Sequence, residues 1–441
     1  MLTDNFSASS YLISTSQHLL LLDSDDQIRV VHSGKGTYFG LAQEHGTIYV
    51  ACRNRTSLGS DASERGSIMT LDACTLDPIG SIKAPFKLRD MHALAVIERN
   101  LYVTCTFENM IGVYNIAERT WEKWYPAINP DDRGRDIHHF NSIAAFDGLI
   151  HLVAHNRGPS QIWSFTTQLR MLSSVIELGV EAHEALPWGD AIITCSSKEA
   201  ALVSTNGWML RTGGYPRGMA LSEDTILVGV SQYSPEPGRA HTFGSVLRFN
   251  RNWQYVGRFV LEAVGQVCAI LPITIDQAQC AKWPLLPLAQ FHTAGGDEPA
   301  PGGQLHFGNA STGVRYDPSW HFPEGVHRWT AALNSKASFL VNQCERRLKV
   351  TAFSDFPGPY SLELRLDGAS MGGTSLGFIR WKEPGQAEGE FELPDHTKYA
   401  KPRLELTFRV PHLWRPSDFS PKPRDTRLLG VAISEVRLCR G

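Results

Sequence analysis

The sequence has no large excess of charge of either sign. Its 42 lysines and arginines nearly balance its 45 aspartates and glutamates, which leaves a formal net charge of −3 at pH 7. A nucleic-acid-binding protein needs a basic surface, and a disordered acidic chain combines high net charge with few apolar residues. We therefore expect a folded protein that does not bind nucleic acid.

Long apolar runs and familiar metal or phosphate motifs are also missing. No stretch approaches the roughly 18 apolar residues of a membrane span, and the N-terminus shows neither the basic region nor the apolar core of a secretion signal. The eight cysteines form no Cys-x-x-Cys pair, and the sequence contains no P-loop, His-Glu-x-x-His or EF-hand motif. These absences predict a cytoplasmic protein without a membrane span, with reduced thiols and without a zinc ribbon.

Turn-forming and aromatic residues, by contrast, are plentiful. The sequence has 38 glycines and 25 prolines, and 10% of its 441 residues are aromatic. Such a composition is typical of β-sheet proteins with many turns, and the length suits two or three domains. The sequence therefore predicts an all-β protein with more than one domain.

One pattern recurs through the first 273 residues. Each copy has a variable first residue, a small residue, two apolar positions, a tight turn and a second apolar strand. The first residues of the copies are Phe39, His92, Asn141, His183, Arg217 and Gln266. Their spacing of 34 to 53 residues is typical of β-propeller blades, which have four strands each.

The two ends of this repeat region complement each other. The copy at Gln266 supplies only one strand, which ends near Ile273, and three strands at Tyr11–Thr15, His18–Leu22 and 28–32 precede the first copy. Joining them completes a last blade and closes the ring, which removes open sheet edges. The sequence thus predicts a six-bladed propeller over residues 1–273, with five or seven blades as the alternatives.

The C-terminal third has a different organisation. Residues 274–305 are rich in proline and glycine and have no sustained period, which indicates a linker. Residues 306–441 contain short alternating apolar strands about ten residues apart, separated by turn residues. This pattern predicts a β-sandwich domain.

Two stretches of this domain carry a resemblance to a known family. The first runs from Gly313 to Thr330 and includes Phe322-Pro323-Glu324-Gly325 and Arg328-Trp329-Thr330, and the second is Leu429-Gly430-Val431-Ala432. The last 130 or so residues resemble the carbohydrate-binding-like jelly-roll domain that is appended to bacterial polysaccharide-assembly glycosyltransferases. The resemblance implies a jelly-roll fold, a carbohydrate ligand and a role in surface-polysaccharide biosynthesis. The propeller resembles bacterial six-bladed repeat proteins without an assigned reaction.

The inner strands of a propeller begin on one face, so the first residues of the copies should converge around the central channel. Residues two positions earlier lie on the same side of each strand. The funnel candidates are His92, His139, Asn141, His183, Arg217, Gln266, Asp90, Glu181 and Tyr215. Imidazoles beside a carboxylate suit Zn, Mn or Fe, so His92, His139 and His183 are candidate ligands of a divalent metal. The alternative is that these polar residues only hold water.

Loops after the second strands should form the rim of this funnel. They bring Arg53, Arg55, Asn156 and Arg157 to the same face. A cationic rim suits an anionic or hydroxyl-rich ligand, and solvated surface arginines are the alternative. His155 shares a repeat position with cysteines, which indicates packing rather than ligand binding.

Two functions follow from these features. The first is binding of a glycan or anionic sugar, with Trp320, Trp329 and Trp414 offering ring faces on which sugars could stack. The alternative is an enzyme, a hydrolase, lyase or transferase, that acts on an anionic sugar or related small molecule in the funnel, with or without the help of a metal. No complete catalytic triad or carboxylate pair can be read from the spacing.

Overall fold

Strands form nearly all of the regular structure in the computed structural model of the chain. It describes residues 10–55, 63–127, 129–234, 240, 242–261, 264–286, 289–293, 304–307, 315–324, 327–341, 345–367, 374–394, 403–419 and 427–440. The helices in these residues are single turns, at Thr106–Glu108, Pro130–Asp132, Ser197–Glu199, Gln277–Cys280 and Pro416–Asp418. None of the described helices is long and apolar enough to cross a membrane. The all-β prediction is confirmed.

The chain divides into two compact units. The first comprises Met1–Leu210, Tyr215–Gln254 and Arg258–Phe291, and the second comprises Arg211–Gly214, Tyr255–Gly257 and His292–Gly441. The predicted domain boundaries at residues 273 and 306 stay predictions.

The propeller consists of six antiparallel sheets that contribute four propeller strands each, which we call blades 1 to 6. Within each blade the four strands pair in succession, from the innermost strand outward. The strands are Tyr38–Glu44, Thr47–Cys52, Ser67–Asp72 and Pro78–Ile82 (blade 1); Met91–Ile97, Asn100–Cys105, Met110–Asn115 and Thr120–Trp124 (blade 2); Phe140–Phe146, Leu149–Ala154, Pro159–Thr166 and Met171–Val180 (blade 3); Ala182–Trp188, Ala191–Ser196, Ala201–Ser204 and Met209–Arg211 (blade 4); Tyr215–Leu221, Thr225–Ser231, Gly244–Asn250 and Tyr255–Leu261 (blade 5); Val267–Ile273, Ser10–Thr15, His18–Leu22 and Ile28–Ser33 (blade 6).

The blades form a closed ring. Each inner strand contacts the inner strands of the two neighbouring blades, and blade 6 contacts blade 1. In blade 6 the strand Ser10–Thr15 pairs antiparallel with Val267–Ile273, with Ile13 opposite Ile270. This pairing joins the N-terminal strands to the last inner strand, as the repeat arithmetic predicts. The apolar core lies between neighbouring blades, so strands such as His18–Leu22 are buried on both faces.

The hairpins between first and second strands follow from their turn residues. His45-Gly46, Glu98-Arg99 and Asp147-Gly148 have positive φ at both residues. Two consecutive positive φ values define the type I′ turn, whose twist matches that of paired strands. These tight turns fix the register of the inner strands.

Each inner strand also carries a β-bulge near its first residues. The register shifts lie between Tyr38 and Leu41, Met91 and Leu94, Phe140 and Ser142, His183 and Leu186, and Pro216 and Met219, and blade 6 shifts between Val267 and Ala269. A bulge inserts an extra residue and re-aims the side chains beside it. The funnel candidates therefore lie at the points where the regular alternation is interrupted.

The first part of the expected linker packs against the propeller. Ile275, Cys280 and Trp283 are buried in the same cluster as residues of blades 1 and 6. Val30 donates its N–H to the carbonyl of Pro284, so this segment covers the outer edge of blade 6. The linker expectation is corrected for these residues, because their apolar side chains are buried in the core between blades.

The second unit is a sandwich of two antiparallel sheets. One sheet has the order Trp320–Glu324, His327–Thr330, Ala432–Arg440, Glu345–Ser354 and Gly385–Glu392, with Gln304–His306 also pairing with Ala432–Arg440; the other has the order Arg315–Tyr316, Asn334–Leu340, Arg403–Arg409, Tyr360–Asp367 and Thr374–Trp381. Both sheets contribute to one apolar core, which includes Val350 and Val436 from one sheet and Phe339 and Leu406 from the other. The predicted β-sandwich is confirmed, and its jelly-roll family stays a prediction. Gly313 and Gly325 of the family motif lie outside the described residues.

Neighbouring inner strands approach so closely that some positions accept only glycine. A Cβ on Gly40 would lie 2.3 Å from the backbone nitrogen of Leu94, and one on Gly218 would lie 2.7 Å from the Cα of Ala269. Backbone atoms cannot move aside to make room for a Cβ, whereas the end of a flexible side chain can. The ring of inner strands therefore leaves no space for a methyl group at these two positions.

We expect Gly40→Ala to destabilise the propeller by about 1–3 kcal/mol, because the added methyl group forces neighbouring backbones apart. The measurement is a denaturant titration followed by intrinsic fluorescence. Gly158→Ala is the matched control, since a Cβ there has no atom nearer than 3.9 Å. Equal stability of the two variants would contradict the close packing of blades 1 and 2.

Candidate functional site

The first residues of the six repeat copies lie around the central channel of the propeller. Aromatic rings follow one another around it, with centroids 4.8 Å apart for Phe39 and His92 and 5.0 Å apart for His92 and His139. His155 and His183 continue the series at 5.3 Å, and Tyr215 lies 6.0 Å beyond His183. The residues predicted from the repeat thus lie around one channel.

The channel contains two cavities that share His92 and Arg217 in their linings. The outer chamber, of about 370 Å³, is lined by Asp90, His139, His155, Glu181, Tyr215 and Gln266, together with Arg53, Asp136 and Arg157. The inner chamber, of about 470 Å³, is lined by Asn141, His183, Glu184 and Cys268 among apolar residues of the inner strands. Each is large enough for a small organic molecule.

The cations expected at the rim are neutralised by carboxylates. Arg53 is buried rather than exposed, because both of its terminal edges are engaged: Nε and Nη2 donate to Glu64 at 2.8 and 2.6 Å, and Nη1 lies 2.7 Å from Asp90 Oδ1. Arg157 pairs with Asp136, and Arg55 Nη1 lies 3.7 Å from Glu64. The expectation of a free cationic rim is therefore corrected.

Asn156 does not line either chamber. Its amide donates to the carbonyl of Pro159 at 3.4 Å, and its Oδ1 lies 3.4 Å from Nδ1 of His138. These contacts turn the side chain toward its own loop, because the backbone of Asn156 has a positive φ of 53°. Its predicted place at the rim is corrected.

His139 forms a histidine–carboxylate pair in the outer chamber. Its Nδ1 lies 2.8 Å from Oδ1 of Asp136, which fixes the ring with Nδ1–H as donor and Nε2 as acceptor. In a regular extended strand, side chains three residues apart lie on opposite faces. Asp136 and His139 meet because His139 has a φ of 49°, in the left-handed region.

Three outer-chamber residues hold left-handed backbone conformations at one repeat position. Asp90, His139 and Glu181 precede the first residues of blades 2, 3 and 4 by two positions and have φ of 52°, 49° and 49°. Such conformations cost about 1–3 kcal/mol each for residues other than glycine and concentrate at functional sites. Their recurrence in three consecutive blades indicates that the backbone is held so as to present these side chains.

The remaining outer-chamber contacts are also specific. Tyr215 donates its hydroxyl to Oε2 of Glu181 at 2.8 Å, and Nζ of Lys198 lies 3.4 Å from Oε1 of the same carboxylate. Gln266 is buried at the chamber wall. Burial lowers the pKa of His92 to about 4 although Asp90 lies 3.4 Å away, so His92 is neutral at pH 7.

The tautomer of His183 follows from its partners. Ser197 donates its hydroxyl to the carbonyl of Pro216, and Nδ1 of His183 lies 2.8 Å from that hydroxyl oxygen and 3.0 Å from the carbonyl of Glu181. A carbonyl only accepts, so Nδ1 must carry the hydrogen. Burial holds the pKa of His183 well below its usual value, which leaves Nε2 as an unprotonated acceptor.

Several polar atoms at the wall of the inner chamber lack partners among the described residues. They are Nε2 of His183, Nε of Arg217, and both Nδ2 and Oδ1 of Asn141. The three side chains are between 4% and 6% exposed and come from consecutive blades. Buried polar groups without hydrogen bonds are rare in folded proteins and cost free energy.

Of the three side chains, Arg217 has the largest free-energy cost of burial. Its guanidinium lies over the ring of Tyr215 at 5.5 Å and hydrogen-bonds to the side chain of Cys268, but it forms no ion pair with any described carboxylate. An arginine is always charged, and a buried charge without an opposite charge beside it is unfavourable by several kcal/mol. A complementary anion in the channel would remove this cost.

Two channel residues were missed by the sequence reasoning. His155 is buried, and its ring lies 4.8 Å from that of His139, so it lines the outer chamber rather than filling a packing position. The sequence feature that could have identified His155 is its polar side chain at the repeat position where three other blades have Cys52, Cys105 and Cys195. Glu184 lines the inner chamber at a position that is glycine, alanine or serine in blades 1, 2, 3 and 5.

The tryptophans predicted to stack on sugars are inside the sandwich. Trp320, Trp329 and Trp414 are 0%, 6% and 5% exposed and belong to its apolar core. Trp320 donates Nε1–H to the carbonyl of Lys336, and Trp414 donates to that of Gly430. The stacking prediction is therefore wrong, because these rings fill the space between the two sheets.

Three of the four cysteines on the two innermost strands of the blades are buried. Cys52, Cys105 and Cys195 are buried and free, and burial raises the pKa of Cys52 to about 12. Cys268 is partly exposed because it lines the inner chamber, where burial still raises its pKa to about 11. All of these thiols are protonated at neutral pH.

Comparison with known proteins gives only distant similarity. No family model and no curated protein matches the chain. Among solved structures, a chain of a nidogen/laminin complex is 12% identical, with 59% of this chain and 97% of that chain covered and a TM-score of 0.45. An exo-β-1,3-galactanase from Phanerochaete chrysosporium, solved with β-1,3-galactotriose, is 9% identical over 97% of this chain and 100% of its own, with a TM-score of 0.35. A glycoside hydrolase family 43 arabinoxylan arabinofuranohydrolase from Bacillus subtilis is 9% identical over 92% and 96%, with a TM-score of 0.27.

Proposed function

We propose that the propeller channel binds an anionic sugar or a closely related hydroxy acid. The supporting observation is the set of unpartnered groups on three consecutive blades, Asn141, His183 and Arg217, at the wall of one chamber. Arg217 requires an anion, Nε2 of His183 requires a hydrogen-bond donor, and Asn141 offers one donor and one acceptor. A molecule with a carboxylate and neighbouring hydroxyl groups satisfies all three.

Water alone does not satisfy this chamber. Ordered waters can hydrogen-bond to Asn141 and to His183. They carry no charge, so they leave the buried guanidinium of Arg217 without a counter-ion. The charge of Arg217 therefore favours an anionic ligand over a water-filled channel.

The cellular setting is part of the same proposal. The C-terminal resemblance supports a role in the assembly of bacterial surface polysaccharide, where carboxylate-bearing sugars are building units. A cytoplasmic location suits a protein that binds such a unit before it is exported. The sandwich takes a structural part in this proposal, because its three buried tryptophans offer no sugar-stacking surface.

Replacing Arg217 tests this function. We expect Arg217→Gln to weaken binding of D-glucuronate or D-gluconate by at least about tenfold, since a charged hydrogen bond contributes about 1.5–3 kcal/mol. The same variant should keep or raise the thermal unfolding midpoint, because it removes an unpaired buried charge. Isothermal titration calorimetry measures the affinity, with uncharged D-glucose as the comparison ligand.

Arg251→Gln is the matched control, since Arg251 is exposed on a turn of blade 5 and its loss changes the net charge equally. Two results would refute the proposal: glucose binding as tightly as the two acids, or no detectable binding of either acid to the unmodified protein. A lowered unfolding midpoint in Arg217→Gln would instead assign this arginine a structural role.

An enzyme acting on the same ligand is the second candidate, and the His139–Asp136 pair favours it. A histidine whose Nδ1–H is held by a carboxylate presents Nε2 as a general base. In an anionic sugar whose carboxylate is neutralised by Arg217, the hydrogen on the carbon beside the carboxylate is more acidic. Proton abstraction by His139 with loss of the neighbouring oxygen substituent would be an elimination.

For this candidate we expect the unmodified protein to release unsaturated products from oligouronides, and His139→Gln to lose that turnover while retaining D-glucuronate affinity. Product absorbance reports the elimination and calorimetry reports the binding. If the unmodified protein binds uronates without any turnover, the channel is a binding site only.

A metal at Asp90, His92 and His139 is a further option for such an enzyme. Their candidate ligand atoms lie within 4.8 Å of one another, and His183 is outside this group, so the predicted three-histidine set is corrected. Oδ1 of Asp90 already lies 2.7 Å from Arg53, and its Oδ2 accepts from Thr106 at 2.5 Å. A divalent cation would have to displace a buried guanidinium, so the residues present fit a metal poorly.

We accordingly expect purified protein to contain much less than one equivalent of Zn, Mn or Fe after dialysis. Elemental analysis by mass spectrometry measures this content. One equivalent of metal that is lost in His92→Ala would overturn the expectation and restore the metal-assisted mechanism.

A further inference from the structure

Glu184 breaks the pattern of the repeat. The residue that follows the first residue of the copy is Gly40, Ala93, Ser142 and Gly218 in blades 1, 2, 3 and 5. The two glycines have no room for a Cβ beside the next inner strand. Blade 4 places a long carboxylic acid at this position.

The backbone accommodates Glu184 by a local change of conformation. Its φ is 61°, in the left-handed region, and it lies in the β-bulge between His183 and Leu186. The hydroxyl of Thr194 lies within hydrogen-bond distance of the carbonyls of both His183 and Glu184, at 3.1 and 2.5 Å, and so holds the bulge. This conformation is unfavourable for a residue other than glycine, and the side chain lines the inner chamber.

The carboxyl group of Glu184 lines the inner chamber without a partner in the described part of the chain. No ion pair or side-chain hydrogen bond to it is formed there, although the side chain is only partly exposed. A carboxylic acid that is surrounded by protein and lacks a cationic partner is more stable in its neutral form. Burial raises the pKa of Glu184 to about 8.

The groups around Glu184 give its charge little compensation. Cys195 faces it from the second strand of blade 4 and is protonated, because burial and Glu184 itself raise the pKa of that thiol. His183 and, across the chamber, His92 are neutral, and Cys268 is protonated. Arg217 is the one cation in the described lining of the inner chamber.

We propose that Glu184 is a ligand-binding residue that meets the anion held by Arg217 as a neutral carboxylic acid and donates a hydrogen bond to it. Binding in the channel is then linked to one proton. This inference rests on the proposed function and adds a specificity-determining group to it. Arg217 neutralises the charge of the ligand, and Glu184 supplies a donor that adds no second positive charge.

The sign of the linkage follows from the charge of the ionised form. Well below pH 8 Glu184 is neutral and the affinity for an anion is constant. As the pH rises through about 8 the carboxylate forms and repels the ligand, so the dissociation constant should rise and should approach a rise of about tenfold per pH unit once the group is mostly ionised. A cationic ligand would show the opposite dependence, because the carboxylate would then attract it.

The experiment is a calorimetric titration of D-gluconate from about pH 6 to about pH 9.5. We expect a flat affinity up to about pH 7 and, at pH 9, an affinity about tenfold below that plateau in the unmodified protein. Glu184→Gln keeps a donor but cannot ionise, so its affinity should stay flat throughout. Glu223→Gln is the matched control, because Glu223 is exposed in the hairpin of blade 5.

A second measurement follows the protonation state of Glu184 in the absence of any ligand. The infrared C=O band of a protonated carboxyl group should be present at pH 7, should disappear as the pH is raised through 8 to 9, and should be missing in Glu184→Gln. Absence of that band at pH 7 would refute the inference whether or not gluconate binds.

The outcomes separate the inference from the function on which it rests. If gluconate does not bind at any pH, the proposed function fails. If gluconate binds with an affinity that is flat to about pH 9.5, or if Glu184→Gln retains the alkaline loss, the role of Glu184 is wrong and the anion site stands. Tighter binding at high pH would show that the occupant of the inner chamber is cationic.

Discussion

Closure of the ring by the N-terminal strand is the constraint on which the channel depends. The strand Ser10–Thr15 pairs with Val267–Ile273 and brings the last blade against the first. Only in a closed ring do the six inner strands begin around one axis, and only then do side chains that are 34 to 53 residues apart in sequence share a chamber. The same closure removes the two open edges that a row of blades would otherwise expose.

The closed ring leaves little space for long side chains at the channel wall. The β-bulges change the backbone locally so that such side chains fit there. Inner strands that touch through glycine backbones cannot present long side chains in regular alternation. A bulge in each strand, combined with left-handed residues such as Asp90 and His139, rotates chosen side chains into the channel. The scaffold is thus uniform where strands pack and varied where they meet the cavity, as expected for a site built on a repeat fold.

The periodic features of the sequence were sufficient to predict the blades, their number and most of the residues that meet in the channel, although His155 and Glu184 were missed. Each of these depends on local spacing, which a propeller preserves. The side-chain pairings at the rim were not predictable. Arg53 pairs with Glu64 across a loop, and Asp136 contacts His139 only because the backbone of His139 is left-handed. The burial of Trp320 was missed for a related reason: alternation gives two faces of a strand but does not tell which face meets the other sheet.

Glu184 shows that the sequence can indicate an unusual residue even where it does not reveal the backbone conformation. Its backbone conformation could not be read from the sequence. Its length was visible there, at a position that is glycine, alanine or serine in four of the other five blades, and was overlooked. A strained backbone and an unpaired carboxyl group at one residue both oppose folding. Arg217 opposes it in a second way, as a buried cation without a counter-ion. Neither group forms an ion pair with a described residue of the propeller, and the two groups line the same chamber. A ligand that carries negative charge and accepts a hydrogen bond relieves both, which is why the chamber is better understood as a binding site than as part of the core.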